Sequence, residues 1–257
     1  MNDFQDKNIW IIGCSSGIGY ALAKELSGRG AKLTLSARRK DKLETLNTEL
    51  GGTHLICPVD VGDYESVCHA AGTIKETQSK LDSVLFLAAT FSPHDGKKKD
   101  ISAIHEMLNV NLGGAFNMLD VVLPIYEEQG FGQILLCGSV AGFRGLPTGQ
   151  PYCAGKAAII NLAESLKMDL EDKNIDVKVI NPGFVKTPIT DKNDFPMPMM
   201  IEADEAAKAI AKGMKSRSFE IHFPKKFTYL MKFLHILPAP IYFWVMRRVR
   251  NHALKSM

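Results

Sequence analysis

The sequence predicts an α/β fold: a doubly wound parallel sheet in a three-layer αβα arrangement, followed by a short helical C-terminal extension. Three observations indicate this class. Short apolar runs alternate with amphipathic stretches over the first two hundred residues, a pattern typical of parallel βαβ units. A glycine-rich turn joins the first apolar run to the first amphipathic stretch. The 257 residues are 46% hydrophobic and 23% charged, which suits one large globular domain.

The predicted elements follow one another without an internal repeat or a low-complexity tract. The apolar runs predicted as strands are, in chain order, NIWIIG, AKLTLSA, HLICPVDV, SVLFLAA, QILLCGS, DVKVINPG and SFEIHF. The stretches predicted as helices are residues 18–29, 41–50, 63–79, 101–126 and 152–173. Right-handed crossovers between such strands produce a doubly wound sheet. We therefore predict one domain over residues 1–224 and a helical extension over residues 225–257.

Composition and charge exclude several classes of protein. A formal net charge of +3 is too small to indicate nucleic-acid binding, and no basic run carries interleaved aromatic residues. The five cysteines show neither a CxxC pair nor metal-ligand spacing, so we expect no metal site. Such cysteines are typical of reduced thiols in the cytoplasm. The N-terminus lacks a basic region followed by a long apolar stretch, so no secretory signal is predicted.

The turn after the first predicted strand is rich in glycine and serine. It reads Gly13-Cys14-Ser15-Ser16-Gly17-Ile18-Gly19. Glycines there allow a tight turn and a close backbone approach, while the helix N-terminus offers N–H groups and a positive dipole end to a pyrophosphate. A glycine triplet alone also fits an ordinary strand-to-helix turn. Its position at the first crossover favours a dinucleotide site.

The end of the second predicted strand bears on the choice of cofactor. A site for NAD usually has an acidic residue about twenty positions after the glycines, where it binds the ribose 2′-hydroxyl. This chain has no carboxylate between Leu26 and Lys40, and Arg38 stands at the strand end. An arginine there suits a 2′-phosphate. The alternative is that Arg38 and Arg39 face solvent. We expect NADP(H) in preference to NAD(H).

Three residues in the second half of the chain indicate proton transfer. Tyr152 and Lys156 are four residues apart in a predicted helix, and Ser139 precedes them. Positions i and i+4 share a helix face, so we expect Lys156 to lie beside the phenol and lower the pKa of Tyr152. The serine could bond the oxygen that receives the proton. Each residue alone also fits a structural role, but together with the glycine turn they favour catalysis at a carbonyl or alcohol oxygen.

These motifs resemble the short-chain dehydrogenase/reductase family, in its branch of about this chain length. The matching motifs are the GxxxGxG turn, Ser139 with Tyr152-x3-Lys156, and Asn181-Pro182-Gly183 at the end of the sixth strand, and the likeness spans roughly residues 7–222. The resemblance implies an oxidoreductase in which hydride moves between a nicotinamide and a carbonyl or alcohol. It implies that Tyr152 is the proton donor or acceptor, that Ser139 polarises the substrate oxygen and that Lys156 also binds the nicotinamide ribose.

The same resemblance implies roles for further residues. Asn111 would hold a water in the proton relay, and Asp60 and Val61 would contact the adenine. The remaining residues implied to line the cofactor are Gly13, Ser15, Ser16, Gly17, Ile18, Gly19, Arg38, Ala88, Pro182, Gly183, Val185 and Thr187. The chain departs from the family pattern at Ile12, where Thr is usual, and at Phe86-Leu87-Ala88-Ala89, where Asn-Asn-Ala-Gly is usual. Both departures affect local hydrogen bonding more than the chemistry.

Other functions can use the same scaffold. One is a catalytically silent NADP(H)-binding regulatory protein, and another is an epimerase or dehydratase that reuses the tyrosine and lysine. The intact Ser/Tyr/Lys set favours an enzyme over a regulator. Epimerases and dehydratases tend to carry a sizeable C-terminal substrate domain, which this chain lacks. The resemblance also implies a homodimer or homotetramer formed through the helices near 101–126 and 152–173.

The C-terminal segment is unusually apolar. Residues 227–246 are rich in Phe, Tyr, Leu, Ile and Trp, and basic residues flank them. Lys232, His235 and the Pro238-Ala239-Pro240 break argue against a membrane span and favour two short amphipathic helices. Such helices could form a lid or a subunit contact over the substrate cleft. Alternatively, residues 225–250 could make a peripheral membrane contact from the cytoplasm, which would favour an apolar carbonyl substrate.

Overall fold

The computed structural model describes residues 3–91, 100–192 and 196–255. The strands are β1 Asn8–Ile12, β2 Lys32–Ser36, β3 Leu55–Ile56, β4 Ser83–Phe86, β5 Gly132–Cys137, β6 Ile175–Pro182 and β7 Glu220–Phe223. The α-helices are α1 Gly17–Ser27, α2 Lys40–Glu49, α3 Tyr64–Thr77, α4 Ile101–Leu108, α5 Gly114–Gln129, α6 Gln150–Asp169, α7 Ala203–Met214, α8 Lys225–Ile236 and α9 Ala239–Lys255.

The strands of the described chain form one parallel sheet. Their order is β3-β2-β1-β4-β5-β6-β7, and every neighbouring pair is parallel. The strand order reverses between β1 and β4, where Ile12 is paired with Phe86. Ligands of doubly wound sheets bind outside the carboxyl ends of the strands at such a reversal. The predicted fold class is confirmed, and the topology indicates where a site should lie.

Strand β1 illustrates how the sheet separates two core layers. Ile9 and Ile11 pack in one apolar cluster, whereas Trp10 and Ile12 pack in the other. Successive side chains of a strand point to opposite faces, and helices cover both faces of this sheet. All five residues of β1 are therefore buried, which is why parallel strands read as continuous apolar runs.

The observed elements differ from the sequence prediction in three places. β3 is limited to Leu55–Ile56 and lies at the sheet edge, where Pro58 is tolerated because an edge strand does not need every N–H. The helix predicted over 101–126 is divided into α4 and α5 by a π-helical segment, Asn109–Gly113. Helix α7 was not predicted, and it packs against α1.

The segment Ile101–Gln129 is a continuous helical run with the length and composition of a membrane span. Its best window has a mean hydropathy of 1.2, and only 33% of that window is buried. Its inward face, with Met118, Leu119 and Val122, nevertheless packs in the apolar cluster beneath the sheet. Core helices of globular domains have these same properties, so we describe it as part of the αβα layer.

The C-terminal segment forms two helices, α8 and α9, which meet at Leu237 and Pro238. The predicted interruption at the prolines is therefore confirmed. Phe227 and Met231 of α8 pack against Val140 of the main domain. The Arg144 guanidinium donates hydrogen bonds to three carbonyl oxygens at the end of α8, those of Leu234, His235 and Leu237. These are carbonyls that have no partner within the helix.

Candidate active site

A cleft of about 400 Å³ opens at the carboxyl ends of β1 and β4. It lies at the reversal of strand order, where a doubly wound sheet binds its ligand. With one exception, Asn111, every site residue predicted from the sequence lines this cleft. These residues are Gly13, Ser15, Ser16, Gly17, Ile18, Gly19, Arg38, Asp60, Val61, Ala88, Ser139, Tyr152, Lys156, Pro182, Gly183, Val185 and Thr187.

The glycine turn forms the floor of the cleft. Gly13 has φ +101°, and a Cβ there would lie 2.5 Å from the backbone nitrogen of Ala88. A Cβ on Gly19 would lie 2.2 Å from the carbonyl oxygen of Gly13. Only glycine fits at either position without displacing backbone. Helix α1 begins at Gly17, and the Ser16 side chain forms no hydrogen bond that caps it, so the first N–H groups remain available to an anion.

Two arginines stand beside this turn. Arg38 and Arg39 follow β2, are exposed and line the cleft. The Arg39 guanidinium donates to the Ser15 hydroxyl at 3.1 Å. This bond connects the end of β2 to the glycine turn. The sequence had singled out Arg38 alone, although the adjacency of the two arginines was the signal that could have identified Arg39.

Ser139, Tyr152 and Lys156 line the same cleft as the glycine turn. Ser139 follows β5 and begins a short 3₁₀ turn, where its Oγ accepts the N–H of Ala141 at 3.1 Å. Tyr152 and Lys156 lie one turn apart on α6, and the Lys156 Nζ is 5.6 Å from the centroid of the Tyr152 ring. The Tyr152 ring also packs edge-on against Phe91, with 5.2 Å between centroids. The predicted i, i+4 juxtaposition is confirmed.

The electrostatic relation between these residues differs from the sequence prediction. Burial is the largest cause that raises the pKa of Tyr152, and hydrogen bonding with Ser139 opposes it only in part. Burial also lowers the pKa of Lys156. The pKa of Tyr152 is therefore raised and not lowered as expected, because burial outweighs any stabilisation of the phenolate by Lys156. The Lys156 ammonium donates to the Cys137 carbonyl oxygen at 2.7 Å, and it lies 5.6 Å from the centroid of the phenol ring.

Asn111 lies behind the cleft, in the π-helical segment between α4 and α5. Its side chain is 1% exposed. Its Oδ1 accepts the Thr90 N–H at 2.7 Å, and its Nδ2 donates to the Thr90 carbonyl at 2.9 Å. Asn111 thus holds the chain after β4, and Thr90 lines the cleft. π-helical segments occur frequently at functional sites. The structure assigns Asn111 a supporting contact, and its role in a proton relay stays a prediction.

The segment after β6 closes the remaining side of the cleft. A Cβ on Gly17 would lie 3.0 Å from Cγ2 of Thr187, so this segment approaches the glycine turn closely. Thr190 stabilises it, because its hydroxyl donates to the Val185 carbonyl at 2.7 Å and accepts the Thr187 N–H at 2.9 Å. Of the loop 188–202, residues 193–195 lie outside the described part of the chain.

Further residues line the cleft besides those named as site residues from the sequence. They are Ile12, Ala37, Arg39, Val59, Leu87, Ala89, Thr90, Val110, Cys137, Gly138, Pro188, Ile189 and Thr190. Most are direct neighbours of predicted residues at the carboxyl ends of strands. In the sequence, these neighbours could be recognised as lining residues only because they lie next to a motif.

Comparison with known proteins gives consistent results. A family model described as short chain dehydrogenase matches residues 7–196. An uncharacterized oxidoreductase of Myxococcus xanthus is 30% identical over 253 residues, which cover 97% of this chain and 100% of that protein. An uncharacterized oxidoreductase of Staphylococcus epidermidis is 30% identical over 210 residues, 82% of this chain and 91% of its own length.

Solved structures share the fold. The crystal structure of levodione reductase superposes with a TM-score of 0.80 at 23% identity, covering 88% of this chain and 99% of that one. The structure of 3-ketoacyl-(acyl-carrier-protein) reductase from Brucella melitensis, complexed with NADH, gives a TM-score of 0.79 at 22% identity, covering 86% and 98%. This chain is thus a doubly wound α/β protein with its cleft at the strand reversal. It belongs to the short-chain dehydrogenase/reductase family and is an oxidoreductase of that family.

Proposed function

We propose that this protein is an NADP(H)-dependent oxidoreductase that interconverts a carbonyl and an alcohol. One observation carries the proposal: Ser139, Tyr152 and Lys156 line the same cleft as the glycine turn. This supports a site in which a proton-transfer group lies beside a dinucleotide. Holding two reactants in such a site supplies much of the acceleration, because a bimolecular encounter becomes an intramolecular step.

Tyr152 is proposed as the proton donor for carbonyl reduction and as the acceptor for alcohol oxidation. Burial raises the pKa of its hydroxyl, so the phenol of the free protein holds its proton at neutral pH. That protonation state is the one that reduction requires. A bound nicotinamide would supply or accept the hydride. Tyr152 then delivers its proton to the substrate oxygen.

Ser139 is proposed to orient the substrate oxygen. Its Oγ accepts the Ala141 N–H, which fixes the position of the oxygen. Its hydroxyl also bonds Tyr152, which opposes the rise in the Tyr152 pKa, and its contact with the Pro182 carbonyl is long, 3.5 Å. A bond of that length is weak. The hydroxyl proton can therefore turn toward a substrate oxygen next to Tyr152.

Lys156 is proposed to bind a ribose hydroxyl and to stabilise the ionised form of Tyr152 during turnover. The Cys137 carbonyl accepts a hydrogen bond from one of the three N–H groups of the ammonium. The other two N–H groups can donate hydrogen bonds to a ligand in the cleft, which Lys156 lines. Its charge lies within 6 Å of the phenol ring, so it opposes the unfavourable burial of a phenolate.

The cleft fits a dinucleotide. Side chains are excluded where Gly13 and Gly19 approach other backbone, and the N-terminus of α1 faces the same space, as a pyrophosphate requires. Arg38 and Arg39 favour NADP(H), because their guanidinium groups can pair with a 2′-phosphate. Asp60 and Val61 line the part of the cleft proposed for the adenine.

We further propose an apolar carbonyl substrate and a homodimer or homotetramer in the cytoplasm. Phe91 beside Tyr152 and Ile189 in the cleft support an apolar substrate. Exposed Phe116 on α5 and Met168 on α6 support association through those helices. The five cysteines are all free, which agrees with a reducing compartment. Light scattering of the purified protein tests the assembly, and a monomeric mass would contradict it.

The activity is tested by following NADPH consumption against a panel of ketones and aldehydes of increasing apolar size. We expect turnover with NADPH, slower turnover with NADH and rising kcat/KM with apolar size. Tight NADPH binding without turnover of any panel member would identify a regulatory protein instead. Products that keep the oxidation state of the substrate would identify an epimerase or dehydratase.

A further inference from the structure

Helix α8 has two apolar faces, of which only one is covered. Phe227 and Met231 are buried against the main domain. Tyr229, Phe233 and Ile236 are 59%, 57% and 74% exposed. The spacing i, i+4, i+7 places these three side chains on one helical face, opposite the buried pair. Surface helices normally expose polar residues on that side.

Helix α9 continues the same arrangement. Tyr242 and Met246 are buried, and the Tyr242 hydroxyl donates to the Gly145 carbonyl at 2.7 Å. Ile241 and Trp244 are 50% and 49% exposed. The Arg248 guanidinium stacks on the Trp244 ring at 3.7 Å from its centroid. We call the exposed apolar residues of α8 and α9 the C-terminal face: Tyr229, Leu230, Phe233, Ile236, Ile241, Phe243, Trp244 and Val249.

The charge of this segment has one sign. The chain as a whole has 28 acidic and 31 basic residues, yet residues 224–257 contain no Asp or Glu. The basic residues there are Lys225, Lys226, Lys232, Arg247, Arg248, Arg250 and Lys255. Exposed aromatic and aliphatic side chains flanked by basic residues match the boundary between acyl chains and anionic headgroups.

The C-terminal face is held firmly beside the cleft. Arg144 binds the end of α8 through three carbonyl oxygens, and its guanidinium stacks on Tyr242 at 4.0 Å. A Cβ on Gly183, which lines the cleft, would lie 2.6 Å from the Phe227 ring. Among the described residues, none of the C-terminal face lines the cleft itself.

We propose that the C-terminal face docks the protein on the surface of a bilayer that contains anionic lipids. Helices α8 and α9 have 12 and 17 residues, fewer than the roughly 20 needed to span a bilayer, so they lie in the interface. A second copy is a poorer partner, because two such faces would bring Arg247, Arg248 and Arg250 of both copies together, and the Glu220 carboxylate beside this segment already pairs with Lys232. The docking does not depend on the proposed activity.

Vesicle co-sedimentation of the full chain tests this. The probes are phosphatidylcholine vesicles and vesicles of equal parts phosphatidylcholine and phosphatidylglycerol. We expect binding to the mixed vesicles and little binding to phosphatidylcholine alone, because each basic residue contributes about fivefold to affinity for an anionic surface. Binding to the mixed vesicles should weaken at high salt for the same reason. Point substitutions are preferable to truncation, because removing α8 and α9 would uncover the residues that pack against Phe227 and Tyr242.

Two pairs of matched variants separate the contributions. Phe233→Ser with Trp244→Ser should lower vesicle affinity at least about tenfold, whereas Tyr64→Ser, which removes an exposed aromatic side chain from α3, should not. Arg247→Gln with Arg248→Gln and Arg250→Gln should also weaken binding at least about tenfold. Lys42→Gln with Lys208→Gln and Lys212→Gln, a matched loss of charge on α2 and α7, should leave it unchanged. Circular dichroism checks the fold of each variant.

Three outcomes would overturn the proposal. The wild-type chain could remain in the supernatant with both kinds of vesicle. Binding could persist in the Phe233→Ser, Trp244→Ser variant. Light scattering without lipid could show an oligomer that this variant alone dissociates, in which case the C-terminal face is an interface between copies. NADPH oxidation with a water-soluble carbonyl, measured without vesicles, reports the catalytic proposal separately.

Discussion

The Lys156 ammonium donates a hydrogen bond to the backbone carbonyl of Cys137, at 2.7 Å, rather than to the Tyr152 hydroxyl. Cys137 is the last residue of β5, and Ser139 follows two residues later. The bond therefore connects α6 to the strand end that positions the serine. Burial lowers the pKa of Lys156, so the fold holds this cation at a cost in stability. We infer that its function, and not its contribution to stability, explains its presence.

Lys156 and a second buried lysine, Lys178, should respond differently to replacement by Met. Lys178 is 1% exposed, and its Nζ bonds the Ser216 and Ser218 carbonyls at 2.6 and 2.9 Å. Losing these bonds in Lys178→Met should lower the free energy of unfolding by about 2–3 kcal/mol. The kcat of this variant should stay within about twofold of the wild-type value, because Lys178 is remote from the cleft. In Lys156→Met the removed desolvation offsets the lost bond, so stability should change by less than about 1 kcal/mol.

The same Lys156→Met variant should lose at least about a hundredfold in turnover. Urea unfolding and steady-state kinetics on both variants measure the two effects. The reverse pattern, with Lys156→Met unfolded and Lys178→Met inactive, would contradict the roles assigned here.

Gly19→Ala should weaken NADPH binding, because the added Cβ would lie 2.2 Å from the Gly13 carbonyl oxygen and would deform the glycine turn. Overpacking of this kind costs about 1–3 kcal/mol. The matched control is Gly72→Ala in α3, where a Cβ would meet nothing within 4 Å. That change should stabilise the protein by up to about 1 kcal/mol through helix propensity. Isothermal titration with NADPH distinguishes the two, and equal affinities would contradict the proposed position of the pyrophosphate.

Arg38→Ala should reduce kcat/KM for NADPH by about 10- to 100-fold, since it removes a charged hydrogen bond to the 2′-phosphate. The value for NADH should change little, because NADH has no phosphate there. Lys40→Ala, an exposed cation two residues further on, should affect neither cofactor. An equal loss for both cofactors would show that Arg38 does not select between them.

The stability of the protein should fall as the pH is lowered through the range in which histidine titrates. Burial lowers the pKa of His222 from its ordinary value of 6.5, and Lys232 and Lys225 add to this while Glu220 opposes it. The unfolded chain then takes up a proton that the folded chain does not, so stability is present above the unfolded pKa and is lost below it. Burial lowers the pKa of His54 in the same direction.

Urea unfolding at several pH values between about 7 and 5 measures this dependence. His222→Gln should make the dependence shallower, and adding His54→Gln should make it shallower still. A protonated His222 would be repelled by Lys225 and Lys232 of α8, so its protonation should loosen α8 first. A steeper dependence in His222→Gln would contradict the assignment.

The fold was predictable because its signals are local. The apolar run of β1 and the glycine turn after it needed no knowledge of the rest of the chain, and the seven predicted strands are all present. Helix α7 was missed although Ala206, Ile210 and Met214 recur at helical spacing on its buried face, because alanine supplies most of that face and gives a weak apolar signal. The π-helical segment at Asn109–Gly113 was missed because it depends on Asn111 reaching the backbone of Thr90, a contact between residues distant in sequence.

The site was predictable as a set of residues but not as an electrostatic arrangement. Spacing alone placed Tyr152 and Lys156 side by side. It could not show that the Lys156 ammonium donates a hydrogen bond to the Cys137 carbonyl, or that burial raises the pKa of Tyr152. The bond from Arg39 to Ser15 depends likewise on where the end of β2 meets the turn after β1. These relations come from packing between elements, which a one-dimensional pattern does not contain.

The central claim is that Tyr152 transfers the proton in carbonyl reduction. The direct measurement compares NADPH oxidation by the wild-type chain, Tyr152→Phe and Tyr126→Phe, using the best ketone of the panel. Tyr126 is a matched control, because its buried hydroxyl bonds the Gln133 carbonyl at 3.0 Å, away from the cleft. We predict that Tyr152→Phe loses about 10²- to 10⁴-fold in kcat while NADPH affinity stays nearly unchanged, and that Tyr126→Phe keeps its activity. Substantial turnover by Tyr152→Phe would contradict the account.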